Sequence, residues 1–137
     1  MAKAPDIGSK RLVSLAPMEW VRWLTTDITI DEAELVSGEF QWVSRINDVL
    51  LKVHSQIHGS FLTLCEIQVR PHRRIGLRTR AYAALAAEKY DLPVFVVVVN
   101  ILPSAGRAEI VDFYHAEFLG QTAHQDFKVI NLWEIDA

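Results

Sequence analysis

Apolar and polar positions are patterned unevenly along the chain. Residues 1–16 mix Pro, Gly, Lys and Ser without periodicity and read as a loose lead-in, so a single domain is expected over 17–137. In "APMEWVRWLTT", Pro17 suits the first turn of a helix, and Met18, Val21 and Leu24 fall near helical spacing, which predicts a short helix. "TTDITIDEAELVSGEFQWV" is acidic and ambiguous, with Gly38 marking a turn or the entry to a strand. The signal sharpens at "NDVLLKV". Residues 48–53 read as a strand, "HSQIHGS" as a turn containing Gly59, and 61–69 as the antiparallel partner. Both faces of that second strand are apolar except at Glu66 and Gln68, as expected of a central strand, and Pro71 ends it.

"IGLRTRAYAALAAEKY" predicts the clearest helix, with Leu77, Ala81, Ala84 and Leu85 as its inner stripe. "LPVFVVVVNIL" predicts a buried strand closed by Pro103 and Gly106. A strand, a helix and a second buried strand make a βαβ unit, which implies parallel pairing through a right-handed crossover. "AEIVDFYHAEF" and "FKVINLWEI" read as final strands, paired across "LGQTAHQD". The expected fold class is α/β, a mixed central sheet flanked by helices.

Composition narrows the function classes. Half of the 137 residues are apolar, so a folded domain with a real core is expected. The net charge of −3 excludes a global basic field, yet Arg70, Arg73, Arg74, Arg78 and Arg80 supply five of the fourteen Lys and Arg residues within eleven positions. Such a stripe suits phosphates even on an acidic protein. Cys65, the single cysteine, excludes an internal disulfide and reads as a core hydrophobe. The N-terminus lacks a signal-peptide apolar stretch, and "LPVFVVVV" is too short to span a bilayer, so a cytoplasmic protein is expected.

Candidate chemistry centres on one face of the 61–69 strand. Alternation puts Glu66 and Gln68 on the same side, about 7 Å apart, and Asp48 opens the neighbouring strand of the hairpin. Two carboxylates converging at a sheet end repel each other and desolvate badly. Two resolutions are open. A divalent cation with oxygen ligands, Mg²⁺ or Mn²⁺, would hold both. Alternatively Glu66 pairs with Arg45, Arg78 or Arg80 as a structural ion pair. His54 and His58 read as solvated loop residues, and His115 and His124 belong to the final hairpin without a partner motif. Trp42 and Trp133 read as core or interface anchors. "RPHRR" is either a solvated turn or the place where a nucleic-acid backbone approaches.

"NDVLLKV" followed by "FLTLCEIQVRP" resembles the active-site hairpin of the PD-(D/E)XK nuclease superfamily, and within it the recombination-promoting nuclease and YhgA-like putative-transposase group. Those proteins carry an aspartate-led strand, an E-x-Q strand and an R-x-x-x-Y helix, matched here by Asp48, Glu66 with Gln68, and Arg78 with Tyr82. "LPVFVVVVNI" and "HQDFKVINLWEI" are similar to the group's following core strand and its closing strand. The likeness covers residues 17 to 135.

The resemblance implies a restriction-endonuclease-like core and Mg²⁺-dependent hydrolysis of DNA phosphodiesters, tied to recombination or mobile elements. Asp48 and Glu66 would ligate the metal with the backbone carbonyl of Ile67. Gln68 stands where the superfamily has lysine and would orient the attacking water without supplying positive charge. Glu39, nine residues before Asp48, would add an acidic contact. Arg78 and Tyr82, one helical turn apart, would face the site, and together with Arg70, Arg73 and Arg74 would meet DNA. Cutting both strands would favour a homodimer. Arg45 lies one residue further from Asp48 than the group's usual arginine. The competing reading is a catalytically degenerate DNA-binding or assembly subunit that keeps the fold.

Overall fold

A computed structural model of the chain describes residues 15–36, 48–104 and 111–135, and only the backbone of Asp48. Glu39, Trp42, Arg45 and Gly106 therefore lie outside the described residues. The first element is helix α1, Pro17–Thr25, followed by strand β1, Ile30–Val36. Strands β2, Asp48–Ser55, and β3, Gly59–Gln68, form the expected hairpin. Helix α2, Ile75–Tyr90, leads into β4, Val94–Asn100. Strands β5, Phe113–Phe118, and β6, Gln121–Asp126, precede β7, Lys128–Asn131, and a single 3-10 turn at Leu132–Glu134.

Among the described residues the main sheet has the order β1-β2-β3-β4-β7, which makes β3 the central strand. β1 pairs antiparallel with β2, and β2 antiparallel with β3, while β4 and β7 run parallel to β3. The β3-α2-β4 unit thus has the parallel pairing expected of it. Period-2 alternation divides the core into two layers. Val49, Leu51, Val53, Cys65, Val97 and Val99 face Val21 and Leu24 of α1. Leu50, Leu62, Leu64, Val96 and Val98 face Ile75, Tyr82, Ala83 and Ala86 of α2. The fold is therefore mixed α/β, with a helix on each face of a mixed sheet.

Two expectations need correction, and two open readings are narrowed. The buried stripe of α2 is Ile75, Thr79, Tyr82, Ala83 and Ala86; Leu77, Ala81 and Ala84 are exposed and Leu85 is half-buried. An alanine-rich helix offers several equivalent small faces, and the large Tyr82 and Ile75 select the one that fills the gap above the sheet. Second, "LGQTAHQD" is not a connector. Most of it forms β6, which pairs with β5 in a separate two-stranded sheet, while β7 leaves to join β4. Third, the ambiguous acidic segment contains β1, an edge strand whose register slips between Ile30 and Glu32. The slip breaks the alternation that would have revealed it, and the exposed Asp31, Glu32 and Glu34 suit an unpaired edge. Arg22 of α1 braces that irregularity, donating to the Ile30 carbonyl from Nε at 3.2 Å and Nη2 at 2.7 Å. Fourth, Trp133 is 40% exposed, which removes the core half of its core-or-interface reading.

The small β5-β6 sheet rests on α2. A Cβ at Gly76 would lie 2.9 Å from Tyr114 Cβ, so the absence of a side chain sets how closely they approach. No helix among the described residues is long and apolar enough to cross a membrane.

Candidate functional site

Parallel pairing brings the carboxyl ends of β3, β4 and β7 to one edge of the sheet, and antiparallel pairing brings the start of β2 there too. This is the edge at which open α/β sheets take ligands. The terminal residues of the three parallel strands, Gln68, Asn100 and Asn131, are in mutual register. Their side chains form an amide ladder. Gln68 Nε2 donates to Asn100 Oδ1 at 2.6 Å, and Asn100 Nδ2 donates to Asn131 Oδ1 at 2.9 Å. Asn131 Nδ2 in turn donates to Glu134 Oε1. Sequence reasoning did not name Asn100 or Asn131. Their signal was available: each is a polar residue closing an apolar strand, as Gln68 is.

Glu66 stands two residues before Gln68 on the α2 face, 2% exposed, and its cross-strand backbone partner is Asp48. Arg78 Nη1 donates to Glu66 Oε1 over 3.5 Å, the long end of hydrogen-bond range. Glu66 Oε2 and Gln68 Oε1 are buried and have no hydrogen-bond partner among the described residues. Leaving a buried acceptor unpaired costs about 1–3 kcal/mol, and more for a charged group. The geometry therefore answers the sequence question in two parts. One oxygen of Glu66 leans on an arginine, and the other, like the spare oxygen of Gln68 two residues on, has no partner among the described residues. Ile67, between them, turns its half-buried side chain to the α1 layer. Among the described residues no group of three or more His, Cys, Asp or Glu is placed to hold a metal ion together, and the Asp48 side chain is outside that set.

Arg73, Arg74, Arg78 and His72 line a cleft of about 500 Å³ at the start of α2, together with Leu77, Ala81 and Tyr82. Arg78 is common to this cleft and to the Glu66 contact. The structure thus collects Arg73, Arg74 and Arg78, but not Arg70, which donates to the Pro103 carbonyl at 2.8 Å. Tyr82 is fully buried in the α2 layer, at the inner wall of this cleft. A second pocket, about 170 Å³, lies beyond the ladder, lined by Gln68, Asn100, Phe113, Tyr114 and Phe127 among others.

Two further groups carry shifted acidities. Thr29, through its hydroxyl and its backbone N–H, holds the Asp27 carboxyl below the ordinary value of 3.8 against the opposing effect of burial. A hydrogen bond to Asp31 at 2.7 Å raises His54 above 6.5. His54 lies on β2, not in a loop, and both groups sit at the opposite end of the β2-β3 hairpin from Glu66.

No family model matches the chain, and comparisons with curated proteins and with solved structures return no match.

Proposed function

We propose that the chain is a Mg²⁺- or Mn²⁺-dependent DNA endonuclease with a restriction-endonuclease-like core, using Asp48, Glu66 and Gln68 at the strand-end edge. The observation that carries this reading is a pair of buried oxygens without a partner among the described residues, Glu66 Oε2 and Gln68 Oε1, two residues apart on one face. A carboxylate and an amide oxygen are the donor types a hard divalent cation takes. Asp48, opposite Glu66 in the register, would supply a second carboxylate. The cation would activate water and offset charge developing on a phosphate. Gln68 gives one N–H of its amide to Asn100, and its Oε1 would offer the site an acceptor oxygen and no positive charge. Arg78, 23% exposed, would steady Glu66 and reach a phosphate from the arginine-lined cleft, with Arg73 and Arg74 beside it.

The test is nicking of supercoiled plasmid in Mg²⁺ or Mn²⁺. It should vanish in EDTA and in Asp48→Ala and Glu66→Ala. A protein that never cuts, across metals and substrates, overturns the reading. A DNA-binding subunit would instead retain DNA in a salt-dependent way that weakens on losing Arg73 and Arg74. A structural domain whose Glu66 is neutralised by Arg78 draws on the 3.5 Å contact, but it leaves Glu66 Oε2 and Gln68 Oε1 unexplained.

A further inference from the structure

His115 and His124 are direct cross-strand partners on the β5-β6 sheet, with their Nδ1 atoms 3.2 Å apart. Each ring is held from behind by a carboxylate two residues along its own strand. His115 Nε2 lies 3.4 Å from Glu117 Oε1, and His124 Nε2 lies 2.9 Å from Asp126 Oδ1. Phe113 lies nearly parallel to His124, with centroids 6.1 Å apart and planes at 17°. All these residues alternate onto the outer face of the sheet, because Tyr114, Ala116, Ala123 and Gln125 are the half-buried ones.

With both rings neutral, the hydrogen count across these four side chains does not close. Three contacts, carboxylate to ring, ring to ring and ring to carboxylate, require three N–H hydrogens. Two neutral imidazoles bring two. If both rings donate to their carboxylates, as ring nitrogens opposite carboxylates do, two bare Nδ1 lone pairs face each other at 3.2 Å. With two carboxylates already present, the arrangement lacks one cation.

We propose that His115 and His124 form a two-nitrogen chelate for a divalent d-block cation of the Zn²⁺, Ni²⁺ or Cu²⁺ class. At metal–nitrogen distances of about 2.0–2.1 Å, a 3.2 Å separation subtends about 100° at the metal, within the range of tetrahedral and square sites. Glu117 and Asp126 then play the orienting role that carboxylates play behind metal-bound histidines, fixing the Nε2–H tautomer. Water completes the coordination on the exposed side. The site is chemically distinct from the oxygen-lined edge near Glu66, since imidazole nitrogens favour Zn²⁺, Ni²⁺ and Cu²⁺ over Mg²⁺.

The test uses the full chain stripped of metal and titrated with Cu²⁺, read by electron paramagnetic resonance, and with Zn²⁺, read by calorimetry. One equivalent bound through two imidazole nitrogens is expected. Binding should be lost in His115→Gln and in His124→Gln, weakened about tenfold to a hundredfold in Glu117→Gln or Asp126→Asn, and unchanged in His54→Gln. Excess Mg²⁺ should not compete. Binding that survives both histidine substitutions overturns the proposal. So does a pair that keeps a shared proton between its Nδ1 atoms at millimolar Zn²⁺, which would make the missing cation a proton alone.

Discussion

Arg78 and Glu66 approach to 3.5 Å where the sheet edge meets α2, and the carboxylate is almost wholly buried while the guanidinium keeps part of its water. The contact is lopsided. It engages Oε1 and leaves Oε2 without a partner among the described residues. Removing either partner should therefore have unequal consequences. Arg78→Ala strands a buried charge and should cost about 2 kcal/mol, below the 3–5 kcal/mol of fully buried pairs because Arg78 is partly solvated. Glu66→Gln removes the charge but keeps the shape, and should change stability by less than about 1 kcal/mol. Urea unfolding of both variants checks the order.

Asn100 is the middle rung of the amide ladder, donor to Asn131 and acceptor from Gln68. Asn100→Ala should leave Gln68 Nε2 without its acceptor in a buried setting and destabilise the fold by about 2 kcal/mol. It should also free the Gln68 side chain and, on the proposed function, lower DNA cleavage in the folded fraction, because Gln68 Oε1 would no longer be held at the strand end. A variant with unchanged stability would mean that the ladder does not brace this edge.

Gly76→Ala tests the docking of the β5-β6 sheet on α2. The new Cβ would meet Tyr114 Cβ at 2.9 Å. Overpacking costs about 1–3 kcal/mol and outweighs the roughly 1 kcal/mol that alanine gains in a helix. Thermal unfolding should show a lowered midpoint, and hydrogen exchange should rise in residues 113–126.

The pH profile has two signed components. His54 is raised above 6.5 by its bond to Asp31, so its contribution is full below pH 6.5 and is lost as pH rises through the higher folded value. Asp27 is held below 3.8 by Thr29, so its contribution is present above pH 3.8 and is lost as pH falls through the lower folded value. His54→Gln should flatten the alkaline decline of stability just above pH 6.5, and Asp27→Asn should flatten the acid decline below pH 3.8. Equilibrium unfolding across pH measures both.

The parts of this architecture legible in the sequence were those whose signal is local. The β2-β3 hairpin, α2 and β4 are visible because the apolar runs are long and the turn residues are explicit, and Glu66 and Gln68 stand out as polar residues within such a run. What escaped is non-local or degenerate. The β7 pairing joins residues some thirty positions from their β4 partners, and nothing in "FKVINLWEI" marks it as parallel. The β6 strand is exposed at most positions, so no hydrophobic alternation specifies its register. The ladder needed that same long-range register, since Asn131 becomes a neighbour of Asn100 only once β7 joins the sheet. The Arg78 contact was one of three ion-pair options, and α2's choice of buried face decided it.

The most direct test of the central claim is the rate at which the Glu66→Gln protein nicks supercoiled plasmid in Mg²⁺, compared with wild type at matched folded fraction. The variant keeps the side-chain shape and loses only the charge that the orphaned Oε2 would bring to a cation. Wild type should cut only with Mg²⁺ or Mn²⁺ present, and Glu66→Gln should lose at least about a hundredfold in rate, a barrier change of about 2.7 kcal/mol, while remaining folded. Equal cutting by the two proteins, or none by wild type with any divalent metal, would contradict the account.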